Sequence, residues 1–126
     1  MDKALRIFTT VWGAQHIDWF EKYCLKSLCY EKNRKAINGA TWTFLTVKED
    51  QEKIEALLHK AFFMLGTQVN VDFMILGPEF YKNEHAAGAF INQGLLHEMS
   101  KCITYNCKML LAPPDTIFGD GSIANM

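Results

Sequence analysis

The sequence predicts an α/β domain of the Rossmann-like type, with three layers (α/β/α) around a mainly parallel sheet of four strands. Two observations lead to this prediction. Short β-rich runs alternate with longer segments whose apolar residues recur at helical spacing, in the order βαβαβαβ, and the connections between them are short. The alternation favours a parallel sheet, because parallel neighbours need crossover connections and helices supply them.

The strands are predicted from runs that are continuously apolar or rich in β-branched and aromatic residues. These runs are residues 4–11, 41–47, 69–76 and 108–112. The last run is followed by Pro113 and Pro114, neither of which donates a backbone N–H, so the strand must end by Ala112.

Each predicted helix carries an apolar stripe at a spacing of three or four residues. The stripes consist of Ile17, Phe20, Cys24 and Leu28 in the first helix, Ile54, Leu57, Leu58, Ala61, Phe62 and Leu65 in the second, and Ala87, Ile91, Leu95, Met99 and Cys102 in the third. We expect the first helix to be a single long one that ends at Asn38-Gly39. The second should begin with Asp50 as its N-cap, and a polar connection through Lys82 and Asn83 should lead into the third.

Composition indicates one domain, residues 1–126, with 49% apolar and 21% charged residues. The net charge of −1 offers no broad attraction for nucleic acid, and the short basic run at residues 32–35 is interpreted as the solvated end of a helix. No signal peptide and no apolar span of the roughly 20 residues needed to cross a bilayer are visible, so we expect a cytoplasmic protein.

Four cysteines form two pairs with the same spacing, Cys24 with Cys29 and Cys102 with Cys107. Five residues turn about 140° around a helix axis, so the thiols of a pair are expected to point apart. We therefore interpret them as buried free cysteines rather than zinc ligands or disulfides. The histidines fit no catalytic motif and none is assigned to catalysis.

Candidate ligand-binding residues lie where the first two strands end, since ligands of open α/β sheets bind outside the carboxyl ends of the strands. They are Thr9, Thr10, Val11, Trp12, Gly13 and Asp50. Hydroxyls and exposed backbone there can bind a base or ribose, and Trp12 can stack on a ring, although filling the space between strand and helix is the favoured role. For Asp50, the N-cap role is favoured over ribose recognition.

Two carboxylates, Asp115 and Asp120, follow the last strand on a short loop. Such a pair suits a divalent cation, Mn²⁺ or Mg²⁺, that neutralises a diphosphate. For Asp115, directly after a strand end, the metal-binding role is favoured. For Asp120, in Gly-Asp-Gly-Ser, an ordinary turn is the favoured alternative.

Three stretches together resemble the nucleotide-binding half of glycosyltransferases with the GT-A fold. They are Ile-Phe-Thr-Thr-Val-Trp-Gly at residues 7–13, the run from Phe44 to Asp50, and Leu-Leu-Ala-Pro-Pro-Asp at residues 110–115. The resemblance implies that Thr9, Thr10 and Val11 line the nucleotide site. It also implies that Asp115 stands at the acidic motif whose manganese or magnesium ion bridges the phosphates of the sugar nucleotide.

The first functional hypothesis is therefore a domain that binds a nucleoside diphosphate sugar. In the family, the acceptor-binding half lies beyond the point where this chain ends, so the expectation is a fragment that transfers a hexosyl group only when completed. The alternative is a non-catalytic α/β interaction or dimerisation domain, a possible homodimer, with apolar surface left exposed.

Overall fold

The protein is described by a computed structural model covering residues 4–81 and 84–126. It is an α/β fold with a four-stranded parallel sheet, as the sequence predicts. The strands are β1 (Leu5–Thr10), β2 (Thr41–Thr46), β3 (Asn70–Ile75) and β4 (Lys108–Leu111), in the spatial order β3-β2-β1-β4. Every strand lies within its predicted range. The predicted polar connection at Lys82 and Asn83 lies outside the described residues.

The first helical region consists of α1 (Ala14–Trp19), a π-helical segment (Phe20–Leu25) and α2 (Lys26–Leu28), and it is followed by α3 (Glu31–Ile37). After β2 comes α4 (Lys48–Ala61), which is followed by a 3₁₀ turn (Phe63–Leu65). After β3 come α5 (Pro78–Tyr81) and α6 (Glu84–Thr104). Over the described part of the chain, none of these helices is both long enough and apolar enough to cross a bilayer.

The prediction of one long first helix is wrong. The chain leaves the helical conformation at Tyr30, with φ −59° and ψ 145°, and α3 starts at the next residue. The interruption creates a second helix N-terminus, whose free backbone N–H groups need acceptors. Asp120 provides one from the far end of the chain, a partner that local periodicity cannot reveal.

One face of the sheet packs against α1 to α4 through an aromatic core. The rings of Trp42 and Phe44 stack with centroids 4.9 Å apart, and Phe20 meets both edge-on. The indole N–H of Trp42 donates to the hydroxyl of Thr9 at 2.9 Å. This polar contact lets the large side chain be buried with its one donor satisfied.

The opposite face packs against α6, whose Gly94 lies directly over the sheet. A Cβ added there would lie 3.3 Å from the sulfur of Met74 and 3.6 Å from Cζ of Phe8. One turn later, Glu98 is buried and its carboxylate accepts from Nε of Arg6 at 3.2 Å. The helix thus packs on a glycine and an ion pair as well as on apolar side chains.

The predicted apolar stripe of this helix is partly wrong, because Met99 is 43% exposed whereas Glu98 is 1% exposed. Arg6 lies in β1 and faces α6, and a cation taken out of water needs a counter-charge. Desolvation works to lower the pKa of Arg6, but the hydrogen bond and charge of Glu98 outweigh it and raise that pKa above its ordinary value.

Candidate functional site

The strand order reverses between β1 and β4, which makes the crevice outside their carboxyl ends the switch point of the sheet. Phe8 pairs with Leu111, and the N–H of Ala112 donates to the carbonyl of Phe8 at 3.0 Å. Thr10 therefore lies beside the Pro-Pro pair. A cavity of about 200 Å³ opens here, lined by Phe8, Thr10, Ile91, Leu95, Leu111, Ala112, Pro113 and Pro114.

The three predicted residues at the end of β1 have different surroundings. Thr9 is buried, and its hydroxyl donates to the carbonyl of Ala112 at 2.8 Å, which ties β1 to the end of β4. Val11 is 1% exposed and belongs to the core. Of these three, it is Thr10 whose half-buried side chain lines the cavity.

Trp12 has the structural role favoured from the sequence. It is partly buried against a small cluster formed by Val47, Leu76 and Ala87. The next residue, Gly13, adopts φ +90°, a conformation that favours glycine, and it is the N-cap of α1. The loop after β1 thus packs its aromatic side chain inward and turns sharply into the helix.

Asp50 is not the N-cap of α4, so that prediction is wrong. Val47 holds the N-cap position, and the backbone N–H of Asp50 donates to its carbonyl at 3.1 Å. The buried carboxylate of Asp50 instead accepts the backbone N–H of Gly13 at 2.8 Å, with Nζ of Lys53 at 3.5 Å. It ties the start of α4 to the start of α1.

Asp115 is exposed and lies near Cys24 of the π-helical segment. Burial of Cys24 raises the pKa of its thiol to about 12, and the negative charge of Asp115 adds to the rise. The carboxylate therefore stands at the carboxyl edge of the sheet on the side of the first helices. It is available to solvent next to the Pro-Pro end of β4.

Asp120 caps α3, because one of its carboxylate oxygens accepts the backbone N–H groups of Lys32 at 3.1 Å and Asn33 at 3.4 Å. The two predicted metal ligands thus have separate surroundings and do not fit a two-carboxylate clamp. Across residues 4–81 and 84–126, no group of three or more His, Cys, Asp or Glu side chains is arranged to hold a metal ion.

Asn33 is the residue that sequence reasoning missed. It is fully buried, and its amide donates to the carbonyls of Ser27 at 3.1 Å and Gly119 at 2.9 Å. Its carbonyl oxygen accepts the N–H groups of Gly121 at 3.0 Å and Ile123 at 3.4 Å. The basic run at residues 32–35 is therefore not wholly a solvated helix end. The one sequence feature that could have indicated a buried residue here is the uncharged amide of Asn33 among charged neighbours.

A groove of about 760 Å³ lies elsewhere, between α4 and β3. It is lined by Gln51, Glu52, Glu55, Ala56, Leu58, His59, Phe63, Val71 and Phe73, and contains none of the predicted site residues. Because ligands of parallel sheets bind at the carboxyl ends of strands, the smaller cavity between β1 and β4 is the better candidate.

A scan against family models, a search of curated proteins and a search of solved structures each found no match.

Proposed function

We propose that the domain binds a nucleoside diphosphate sugar at the carboxyl ends of β1 and β4, as the donor-binding part of a glycosyltransferase. One observation carries the proposal. The strand order brings Thr10 beside Pro113 and Pro114 around a cavity at the switch point, and the exposed carboxylate of Asp115 follows directly. A parallel sheet of this kind uses that place for ligands.

The cavity offers an apolar wall for a planar ring and few polar groups, as ligand sites commonly do. Phe8, Ile91 and Leu95 form part of this wall, and the hydroxyl of Thr10 can hydrogen-bond a base or ribose. Its modest size suits one ring of the ligand. The diphosphate and sugar would then cross the end of β4, from the α6 side where the cavity lies to Asp115 on the side of the first helices.

Asp115 is assigned to the diphosphate through a divalent cation, Mn²⁺ or Mg²⁺. Sites of this type often use one carboxylate together with phosphate oxygens and water, so a second acid is not required. Asp120 is left out of the assignment because it caps α3. When bound, the cation would neutralise the negative charge of the diphosphate next to the carboxylate.

The test is calorimetric titration with UDP-glucose and GDP-mannose in Mn²⁺ and in EDTA. Asp115→Ala should weaken metal-dependent binding by about tenfold or more, or about 1.4 kcal/mol. Asp72→Ala is the matched control, because Asp72 is also an exposed carboxylate but lies on β3, two strands from β1. Unchanged affinity in Asp115→Ala, or no binding of either donor by the wild type, would reject the proposal.

A second candidate, a homodimerisation domain, is favoured by the α6 apolar face, which consists of Leu96, Met99 and Ile103. These side chains are 63%, 43% and 80% exposed and share one side of the helix. From residue 87 to residue 104 the charged side chains are Glu98 and Lys101, which lie 3.8 Å apart. An uncharged face can pack against its own copy without like-charge repulsion.

Light scattering over a range of concentrations tests this second candidate. Leu96→Glu should convert a dimer to a monomer, because two carboxylates would meet near the interface. Leu65→Glu is the control, since Leu65 is 58% exposed on the 3₁₀ turn after α4. A wild type that stays monomeric at high concentration would exclude dimerisation through this face.

A further inference from the structure

The two cysteine pairs have the same sequence spacing but different backbone geometry. Cys29 continues the first helical run, with its N–H donating to the carbonyl of Leu25 at 3.0 Å. Along a continuous helix, five residues separate Cα atoms by roughly 9 Å. That is beyond the reach of a disulfide, which needs Cα atoms no more than about 7 Å apart.

Cys102 and Cys107, in contrast, belong to a Schellman motif that ends α6. Asn106 takes the left-handed conformation, with φ 53°. The N–H of Cys107 donates to the carbonyl of Cys102 at 2.8 Å, and the N–H of Asn106 donates to that of Ile103 at 3.4 Å. Cys102 and Cys107 occupy the two positions of this motif whose side chains commonly touch.

The same hydrogen bond limits the distance between the two residues. Standard bond lengths on either side of it keep the Cα atoms of Cys102 and Cys107 within about 7 Å. This limit matches the range in which disulfides form. All four cysteines are free, as the sequence predicts. The helix ends at Thr104, before the second cysteine, so the 140° turn of a continuous helix does not apply to this pair.

The two thiols also differ in access. Cys102 is 8% exposed, whereas Cys107 is half-buried and its thiol donates weakly to the carbonyl of Tyr105 at 3.7 Å. Burial raises the pKa of Cys102, the neighbouring Cys107 adds to the rise, and Arg6 opposes it. Cys107 is therefore the residue that a reagent in solution reaches first, and Cys102 is the one placed to react second.

We propose that Cys102 and Cys107 form a dithiol modification site that takes low-molecular-weight disulfides such as oxidised glutathione. The Cys107 thiolate attacks one sulfur of the reagent, forming a mixed disulfide and releasing one glutathione thiolate, which takes up a proton. Cys102 loses its proton to solvent and attacks Sγ of Cys107, releasing the second glutathione. Two protein thiols and one small disulfide thus give one protein disulfide and two small thiols.

The experiment exposes the folded protein to oxidised glutathione, then unfolds it in urea with N-ethylmaleimide to block all remaining thiols, and maps the products by mass spectrometry. The expected product contains a disulfide between Cys102 and Cys107, whereas Cys24 and Cys29 carry maleimide. In urea, where only the spacing matters, the two pairs should close to similar extents.

Two variants separate the steps. Cys102→Ser should stop at a stable glutathione adduct on Cys107, and Cys107→Ser should lose the reaction at this site. The double variant Cys24→Ser with Cys29→Ser should react as the wild type does. A wild-type protein that accumulates the adduct without closing the disulfide, or closes Cys24 with Cys29 to the same extent when folded, would overturn the proposal.

Discussion

Replacing Asn33 by alanine should destabilise the protein by releasing the loop that carries Asp115. The amide of Asn33 holds Gly119, Gly121 and Ile123 onto the turn between α2 and α3. Nearby, the hydroxyl of Ser27 accepts the N–H of Phe118 at 3.0 Å. The segment after β4 has no strand or helix of its own, so these side-chain bonds substitute for a regular hydrogen-bond ladder.

The expected loss of stability follows from the hydrogen bonds that an alanine at position 33 cannot make. Asn33 makes hydrogen bonds at 2.9, 3.0 and 3.1 Å and a longer one at 3.4 Å, all in a fully buried position. A net contribution of about 1 kcal/mol for each bond gives a loss of about 4 kcal/mol. That is a large share of the roughly 5–15 kcal/mol by which domains of this size are stable.

Equilibrium urea unfolding, followed by tryptophan fluorescence to which the buried Trp42 contributes, measures this loss directly. Hydrogen exchange should also show faster exchange at Gly121 and Ile123 than elsewhere in the fold. Asn125→Ala is the matched control, because Asn125 is an exposed asparagine of the same segment. A loss below about 1 kcal/mol in Asn33→Ala, or an equal loss in the control, would refute the assigned role.

Three further predictions concern buried ionisable groups. Glu98→Ala should lower the free energy of unfolding in urea by about 3 kcal/mol, because it leaves Arg6 without its counter-charge. Adding Arg6→Met should restore most of this loss, and no recovery would contradict the reason given. Asp50→Ala should lower the free energy of unfolding by about 1–2 kcal/mol, because it removes the acceptor of the Gly13 N–H. Asp50→Asn should lower it less, since the amide oxygen can still accept that bond, and equal losses in the two variants would argue against the bond. The pKa of Cys24 rises from 9.0 to about 12 on folding, so its neutral thiol stabilises the fold below pH 9 and this contribution is lost as the pH rises from 9 toward 12. Between pH 7 and pH 10 the wild type should therefore lose about 1.4 kcal/mol more in free energy of unfolding than Cys24→Ser, and parallel losses would show that the thiol ionises as readily in the folded state.

The strands were predictable because their signal is local. Apolar and β-branched runs bounded by glycine, proline or asparagine define each strand, and the observed ranges fall inside the predicted ones. The end of β4 was predictable for the same reason, since a missing backbone N–H is a property of proline itself. Helical alternation between these strands then favoured parallel pairing and crossovers.

The candidate site was predictable in position but not in its individual contacts. Thr10 and Asp115 stand at the switch point between β1 and β4, as the strand ends indicated. Thr9, Asp50 and Asp120 instead use their side chains to join elements that are distant in sequence. Residue type and strand position could not distinguish a carboxylate that faces solvent from one that caps a helix.

Sequence alone was enough to predict the class of fold, the strands, the apolar face of the first helical region and the sheet edge that carries the candidate site. The second predicted stripe is correct for Ile54, Leu58 and Phe62 but wrong for Leu65, which is 58% exposed on the turn after α4. Contacts between elements explain what the sequence did not show: the break at Tyr30, the burial of Asn33 and Glu98, and the backbone hydrogen bond from Cys107 to Cys102. Periodicity is a property of neighbouring residues, whereas a buried polar group is stable only beside its hydrogen-bond or charge partner. Those partners lie 86 to 90 residues away for the loop held by Asn33 and 92 residues away for Glu98.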